Sequence, residues 1–218
     1  MYATLRDELM NGRVKFGQRL TEPKLSARFG ISRTPAREAL AMLCADGLLQ
    51  REDVGYSPVR PSIPKVRDLY ELRIMLELAG IQRAIANPGI VHDHELLRLE
   101  RERWLALRDD PPAQEPGFVV VDEEFHVALL AAAGNAELVR ELVAVNARIR
   151  HVRMYDFMVN NRIEVTIAEH LAILDAVLAE DLSLAHELLR VHIGESLDVV
   201  LERVTRAVVA MSMAAEQE

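Results

Sequence analysis

The residues with the clearest chemical potential are one carboxylate and three imidazoles in the second half of the chain. Asp122 and His126 are four residues apart, which places them on one face of a helix. His170 and His192 each lie in a later apolar stretch with helical spacing. Burying these polar groups together is unfavourable unless they share a partner such as a divalent cation. The pattern predicts one divalent transition metal per chain, zinc or nickel, bound by one oxygen and three nitrogens.

Other interpretations of these residues remain open. Taken singly, a histidine in an apolar stretch is more often a core residue with a hydrogen-bond partner than a ligand. A metal here could sense a ligand, stabilise the fold or activate water as in a hydrolase. The candidate general bases for a hydrolase are glutamates that we expect to be solvated: Glu123, Glu124 and Glu169. We expect His92 and His94, at a polar helix start, to lie on the surface.

A basic patch lies within the first 60 residues. That stretch holds ten basic and seven acidic residues, and the rest of the chain holds 16 and 27, which gives the net charge of −8. Lys24, Arg28, Arg33 and Arg37 follow one another with no acidic residue between them. A local basic patch on an acidic protein suits binding to nucleic acid, although a solvated helix face is the alternative.

The basic patch coincides with a predicted winged helix-turn-helix. Thr21 and Ser32 are the expected N-caps of two helices, and Gly30 separates these helices. Two short strands are predicted at 48–51 and 55–59. In a helix-turn-helix, the N-terminal end of the second helix enters the major groove of DNA. Here that end consists of Ser32, Arg33, Thr34, Pro35, Ala36 and Arg37.

The side chains at this helix end suit contacts with DNA. Arg33 and Arg37 are one turn apart on the same face, where each guanidinium could bind a guanine or a phosphate. Ser32, Thr34 and the N–H groups of the first turn suit phosphate oxygens.

The remainder of the chain is predicted to be helical. Pro58, Pro61 and Pro64 mark a domain boundary, and every periodic stretch after them has helical spacing. The fold class is therefore mainly α: a winged helix-turn-helix at 1–60, a linker at 61–65 and an antiparallel bundle of six or seven helices at 66–218.

Composition limits the compartment and the class of protein. A single cysteine, Cys44, excludes a disulfide scaffold and fits a reducing compartment. No apolar run approaches the roughly 20 residues of a membrane helix, so no membrane partner is expected. Arg6, Asp7 and Glu8 interrupt the start of the chain, so we expect no signal peptide and a cytoplasmic protein.

The segment from Leu25 to Leu40, followed by Leu43 and Asp46-Gly47-Leu48, resembles the signature of GntR-family bacterial transcription regulators. The resemblance implies a homodimer that binds operator DNA. It implies base contacts by Arg33 and Arg37, phosphate contacts by Ser32 and Thr34, and a wing tip that contains Gly55. The wing departs from the family in one respect, because Glu52 and Asp53 occupy a tip that is usually basic, which argues against a strong minor-groove contact.

The second half of the chain resembles the FCD effector domain of the FadR subfamily. The resemblance rests on Asp122 with His126, on Ala133-Gly134-Asn135, on Glu169-His170 and on Val191-His192-Ile193. It implies the metal-binding branch of that subfamily and an effector that is a small carboxylate or a sugar acid. It also implies a cationic anchor for the effector, for which Arg73 is the first candidate and Arg148 and Arg150 are the others.

We therefore expect a ligand-responsive, DNA-binding transcriptional regulator, most often a repressor in this family, and not an enzyme. A metal-dependent hydrolase and a regulator with a purely structural metal are the alternatives.

Overall fold

The computed structural model describes residues 1–10, 13–14, 18–158 and 160–215. Its contacts divide the chain into two compact units, Met1–Ile63 with Leu201–Glu218, and Pro64–Val200. Within the described ranges, no helix is both long enough and apolar enough to span a bilayer.

The first unit contains a helix-turn-helix with a small wing. Its elements are α1 (Tyr2–Met10), α2 (Glu22–Phe29), α3 (Arg33–Ala45), β1 (Leu49–Arg51) and β2 (Tyr56–Pro58). Gly30 ends α2 at φ +65°, a left-handed conformation that glycine adopts without strain. The inward faces of the three helices bury leucines at Leu5, Leu9, Leu25, Leu40 and Leu43. The predicted winged helix-turn-helix is therefore confirmed.

The two predicted N-cap residues occupy the expected positions without making the expected bonds. Thr21 and Ser32 have extended backbone conformations immediately before α2 and α3. Neither side chain accepts a capping hydrogen bond from its helix. The helix starts were predicted correctly, whereas the side-chain caps were not.

The wing is tied to the segment that precedes α2. β1 and β2 are antiparallel, with Arg51 opposite Tyr56. The backbone of Leu20 exchanges two hydrogen bonds of 2.9 Å with that of Tyr56. Gly55 lies in the turn between the strands at φ +81°, and a Cβ atom there would come within 2.5 Å of the Leu20 carbonyl oxygen. Glycine therefore allows the wing turn to approach Leu20 closely.

The second unit is a helical bundle. Its described helices are α4 (Ile63–Ala86), α5 (His94–Asp109), α6 (Val119–Ala132), α7 (Ala136–Arg153), α8 (Arg162–Leu178) and α9 (Leu182–Ala215), with 3-10 helices at Pro116–Phe118 and Asp156–Met158. The first residue of α4 and the residues of α9 from Leu201 onward are grouped with the first unit. α4 begins inside the segment assigned to the linker, because Pro64 in a first turn lacks only an N–H that would have no helical partner. The prediction of a helical bundle is confirmed.

Close packing between helices positions the polar residues of the bundle. A Cβ atom on Gly80 of α4 would lie 2.9 Å from a methyl group of Leu130 and 3.3 Å from the Cβ atom of Ala133. The glycine therefore lets α4 approach α6 closely. Trp104 of α5 is completely buried, with its ring edge-on to Phe125 of α6 at 5.4 Å between centroids.

Candidate metal centre and DNA-reading surface

The structure brings the four predicted ligand residues together inside the bundle. Asp122 and His126 lie one turn apart on α6, His170 lies on α8 and His192 lies on α9. All four are buried, with at most 3% of each residue exposed. One candidate ligand atom from each lies within 4.8 Å of the others. Three helices thus converge on a single cluster of one carboxylate and three imidazoles.

Several separations between the ligand atoms are close to those around a first-row transition metal. The Nε2 atom of His192 lies 3.1 Å from that of His170 and 3.3 Å from that of His126. The Asp122 oxygens lie 3.6 Å from His126 Nε2 and 3.5 Å from His170 Nε2. With metal–nitrogen distances of about 2.0–2.1 Å, neighbouring ligands are about 3.3 Å apart on a tetrahedral ion and about 2.9 Å apart on an octahedral ion.

Carboxylates behind two of the histidines orient their rings. Glu77 Oε2 lies 2.5 Å from His126 Nδ1, and Glu169 Oε2 lies 2.7 Å from His192 Nδ1. A carboxylate at Nδ1 accepts a hydrogen bond from it, which leaves the Nε2 lone pair pointing inward. The two facing Nε2 atoms of His126 and His192 then have no proton to share, and a cation between them would relieve this repulsion.

The third histidine is held by aromatic packing. The ring of His170 stacks on Phe125 with centroids 3.5 Å apart and planes 8° apart, and Trp104 packs edge-on at 4.2 Å. Its Nδ1 atom is buried and has no hydrogen-bond partner among the described residues. Burial and the neighbouring His192 hold the pKa of His170 well below its usual range. The ring is therefore neutral, as a metal ligand must be.

Arginines balance the buried carboxylates. Arg153, itself buried, pairs with Asp122 and also reaches Glu123. Burial alone would raise the pKa of Asp122, but the charge of Arg153 holds it well below the ordinary value. The pKa of Glu77 falls to about 2, because Arg73 and His126 outweigh the effect of burial. Both carboxyl groups are therefore ionised at neutral pH.

The three candidate effector-binding arginines lie in different environments. Arg73 is completely buried, and its Nε donates to Glu77 Oε1 at 2.5 Å. Its Nη1 and Nη2 atoms are buried and have no hydrogen-bond partner in the described part of the chain. Arg148 is exposed, and Arg150 donates to Glu123 Oε2 at 3.0 and 2.6 Å.

Several functional contacts could not be read from spacing alone. Glu77 and Arg153 lie 49 and 31 residues from the partners that they contact, His126 and Asp122. A weak signal for Arg153 exists, because it lies one turn beyond Arg150 on the same helix.

Two surface predictions need correction. Glu169 binds both His192 and Arg162, and Glu123 is buried against arginines, so neither is simply solvated; Glu124 is exposed, as expected. This pairing disfavours a free general base. The prediction for His92 is wrong, since only 6% of this residue is exposed. The N–H of Asp93 donates to the Ala132 carbonyl at 2.8 Å, which holds the loop against the end of α6.

The predicted DNA-reading residues lie together on the exposed start of α3. Ser32, Arg33, Thr34, Pro35 and Arg37 are all exposed. In the wing, the carboxylate of Glu52 accepts hydrogen bonds from Gln50 and Ser57 and pairs with Arg19. One of the two acidic side chains of the wing is thus engaged by its own domain.

Comparisons with known proteins agree with this architecture. The FCD domain family matches residues 68–195, and the gntR family of bacterial regulatory proteins matches residues 1–55. The HTH-type transcriptional regulator BphR of Paraburkholderia xenovorans is 31% identical over 91% of this chain and 83% of its own. The HTH-type transcriptional regulator YdhC of Bacillus subtilis is 30% identical over 92% of this chain and 91% of its own.

A solved structure shares the fold. A GntR regulator from Rhodococcus superposes with a TM-score of 0.56 at 24% identity, over 92% of this chain and 95% of its own. With both domains matched and two relatives aligned over 83% and 91% of their lengths, the chain belongs to the GntR family of bacterial transcriptional regulators and carries an FCD domain.

Proposed function

We propose that this regulator is a homodimeric, cytoplasmic repressor whose FCD domain senses a small carboxylate or a sugar acid at a metal site. The observation that carries the proposal is the buried Arg73 guanidinium, whose Nη1 and Nη2 atoms are unpaired within the described structure. A buried cation with unused donors is costly, and an anionic ligand would satisfy it. Arg73 lies one helical turn from Glu77, which contacts the metal ligand His126.

The proposed cofactor is one zinc or nickel ion per chain, held by Asp122, His126, His170 and His192. A divalent ion bound there supplies a Lewis acid that could accept an effector carboxylate in an open coordination position. Glu77 and Glu169 would orient two of the ligating rings, and Arg153 would hold the Asp122 carboxylate.

The anchor for the effector is proposed to be Arg73 rather than the other two candidates. Arg150 is already engaged by Glu123, and Arg148 is exposed. The guanidinium of Arg73 offers a fork of donors in a buried setting, where a charge-assisted hydrogen bond is strongest.

The winged helix is proposed to read one half-site of a palindromic operator. Arg33 and Arg37 would contact bases, Ser32 and Thr34 would contact phosphates, and Pro35 would lie within the same helix end in the major groove. The wing turn with Gly55 would lie beside the DNA. Because α4 begins five residues after β2 ends, a ligand-induced shift of α4 would have a short covalent path to the winged helix.

Metal analysis followed by calorimetry tests the sensor. We expect about one zinc or nickel ion per purified chain, and saturable heat for at least one of acetate, citrate and gluconate that disappears after chelation. Metal without saturable heat would favour the structural role, and absence of metal would contradict the four-residue site.

Selection of DNA tests the regulator. We expect the full chain to enrich a palindromic duplex from a random pool and to sediment as a dimer, and the effector found by calorimetry should release the DNA. If the protein sediments as a monomer, or if selection enriches no consensus sequence, the proposed binding of a palindromic operator by a dimer is contradicted.

A further inference from the structure

Arg37, which is proposed to contact DNA bases, forms hydrogen bonds with the carboxylate of Glu22 on the neighbouring helix. Its Nε donates to Glu22 Oε1 at 2.8 Å, and its Nη2 donates to Glu22 Oε2 at 3.1 Å. Glu22 lies in the first turn of α2, whereas Arg37 lies in the second turn of α3. The pair therefore links the two helices of the helix-turn-helix by a two-point contact.

This contact fixes the orientation of the guanidinium plane. Two parallel N–H···O bonds use one edge of the guanidinium and leave the remaining donors, including both on Nη1, at the outer end. The side chain of Arg37 is 68% exposed and that of Glu22 only 23% exposed. The carboxylate is thus the fixed partner, and the arginine extends from it into solvent.

Glu22 lies in a groove whose lining carries both acidic and basic side chains. The groove has a volume of about 440 Å³ and is lined by the beginnings of α2 and α3 and by the wing turn. Two arginines and three carboxylates line it: Arg33, Arg51, Glu22, Glu52 and Asp53. The hydrogen bonds from Arg37, together with the charges of Arg33 and Arg51, lower the pKa of Glu22. Glu22 therefore stays ionised beside the arginines at the exposed start of α3.

We propose that Glu22 is a specificity-determining positioning residue that holds Arg37 towards a base edge and keeps it away from the phosphate backbone. The proposal rests on the proposed role of Arg37 in reading DNA. An unrestrained arginine has many rotamers and binds phosphates at any sequence, whereas a restrained fork contacts one base in one geometry. The negative charge of Glu22 would also repel phosphates that approach Arg37 from its side.

The chain offers a matched control for this pair. Arg28 makes a second two-point contact, with Glu8 of α1, and its Nη1 lies 2.8 Å from Glu8 Oε2. That contact also joins an arginine to a glutamate within the same unit, but neither residue belongs to the predicted DNA-contacting segment at the start of α3. Glu8→Gln removes one charge and keeps the shape, as Glu22→Gln does.

The experiment measures the affinity of full-length variants for two duplexes over a range of salt. One duplex is selected from a random pool with the unmodified protein, and the other is its scrambled version. We expect Glu22→Gln to lower the ratio of the two affinities about tenfold and to steepen the salt dependence on the scrambled duplex by about one unit. Glu8→Gln should leave the ratio within about twofold.

The same measurement with Arg37→Ala, alone and combined with Glu22→Gln, distinguishes failure of the positioning role of Glu22 from failure of the proposed base contact by Arg37. If Glu22 acts through Arg37, Glu22→Gln should not change the ratio further in Arg37→Ala. An equal loss on both duplexes, or an unchanged ratio with Glu22→Gln, would overturn the positioning role. If Arg37→Ala itself leaves the ratio unchanged, Arg37 does not read bases, and the role of Glu22 is wrong with it.

Discussion

One carboxylate joins the proposed metal ligand His126 to the proposed effector anchor Arg73. Glu77 Oε2 lies 2.5 Å from His126 Nδ1, and Glu77 Oε1 lies 2.5 Å from Arg73 Nε. Arg73 and Glu77 are one turn apart on α4, and His126 lies on α6. Any anion that draws the Arg73 guanidinium towards itself therefore acts on the same carboxylate that orients a ligating ring.

Glu77→Gln should weaken metal binding by about 10- to 100-fold, because a neutral amide makes His126 a less basic ligand and orients its ring less firmly. A chelator-competition titration with zinc measures the change. Glu124→Gln on α6 is the control, since Glu124 is exposed and pairs with Arg103. Equal zinc affinity in the Glu77 variant and the control would argue against an orienting role.

Arg73→Gln should weaken binding of the carboxylate effector by about 10- to 100-fold when samples of equal metal content are compared, since the variant loses the charged donors and retains all four proposed ligands. Calorimetry with the metal-loaded protein measures the affinity, and metal analysis of the same sample checks occupancy. Arg148→Gln, on the exposed face of α7, should bind the effector normally. If Arg73→Gln binds the effector with unchanged affinity, Arg73 is not the effector anchor.

Local patterns were enough to predict that the four candidate ligand residues face the core, but not the groups that lie behind them. Asp122 and His126 share one helical face because of their spacing, and the apolar neighbours of His170 and His192 indicate that these residues face the core. Glu77 reaches His126 across the packing of α4 against α6, where Gly80 allows a close approach. Such a contact depends on helix packing, which no single helix pattern contains.

The same distinction applies to the winged helix. The turn at Gly30 and the beginning of α3 follow from local backbone preferences, so they could be predicted. The Glu22–Arg37 pair joins two helices, and His92 is buried beside a loop that is bonded to the end of α6 through Asp93 and Ala132. Both are contacts between separate elements of secondary structure. The sequence indicates which residues could form such contacts but not which of them meet.

Gly55→Ala should destabilise the protein more than Gly30→Ala does. Both residues have positive φ, and an alanine in the left-handed region costs roughly 1–2 kcal/mol at either position. A Cβ atom on Gly55 would also meet the Leu20 carbonyl oxygen at 2.5 Å, whereas Gly30 has no heavy atom within 4 Å of that position. Urea unfolding measures both variants, and equal losses would contradict the close approach of the wing turn to Leu20.

His151 should make the fold sensitive to acid. Burial, and then the charge of Lys65, lower the pKa of its imidazole in the folded chain from 6.5 to about 4. The unfolded chain therefore binds more protons between these values, so the stabilising contribution is complete above about pH 6.5 and is lost as the pH falls towards 4. Between pH 7 and pH 5 the loss should be about 2 kcal/mol.

His151→Gln isolates this contribution, because an amide does not titrate. Urea unfolding at both pH values, with a chelator present throughout, removes the effect of metal release by acid. The free energy of unfolding should fall by about 2 kcal/mol less in the variant than in the unmodified protein, because the other titrating groups cancel in the comparison. Parallel pH profiles for the two proteins would mean that the His151 imidazole accepts its proton as readily in the folded chain as in the unfolded one.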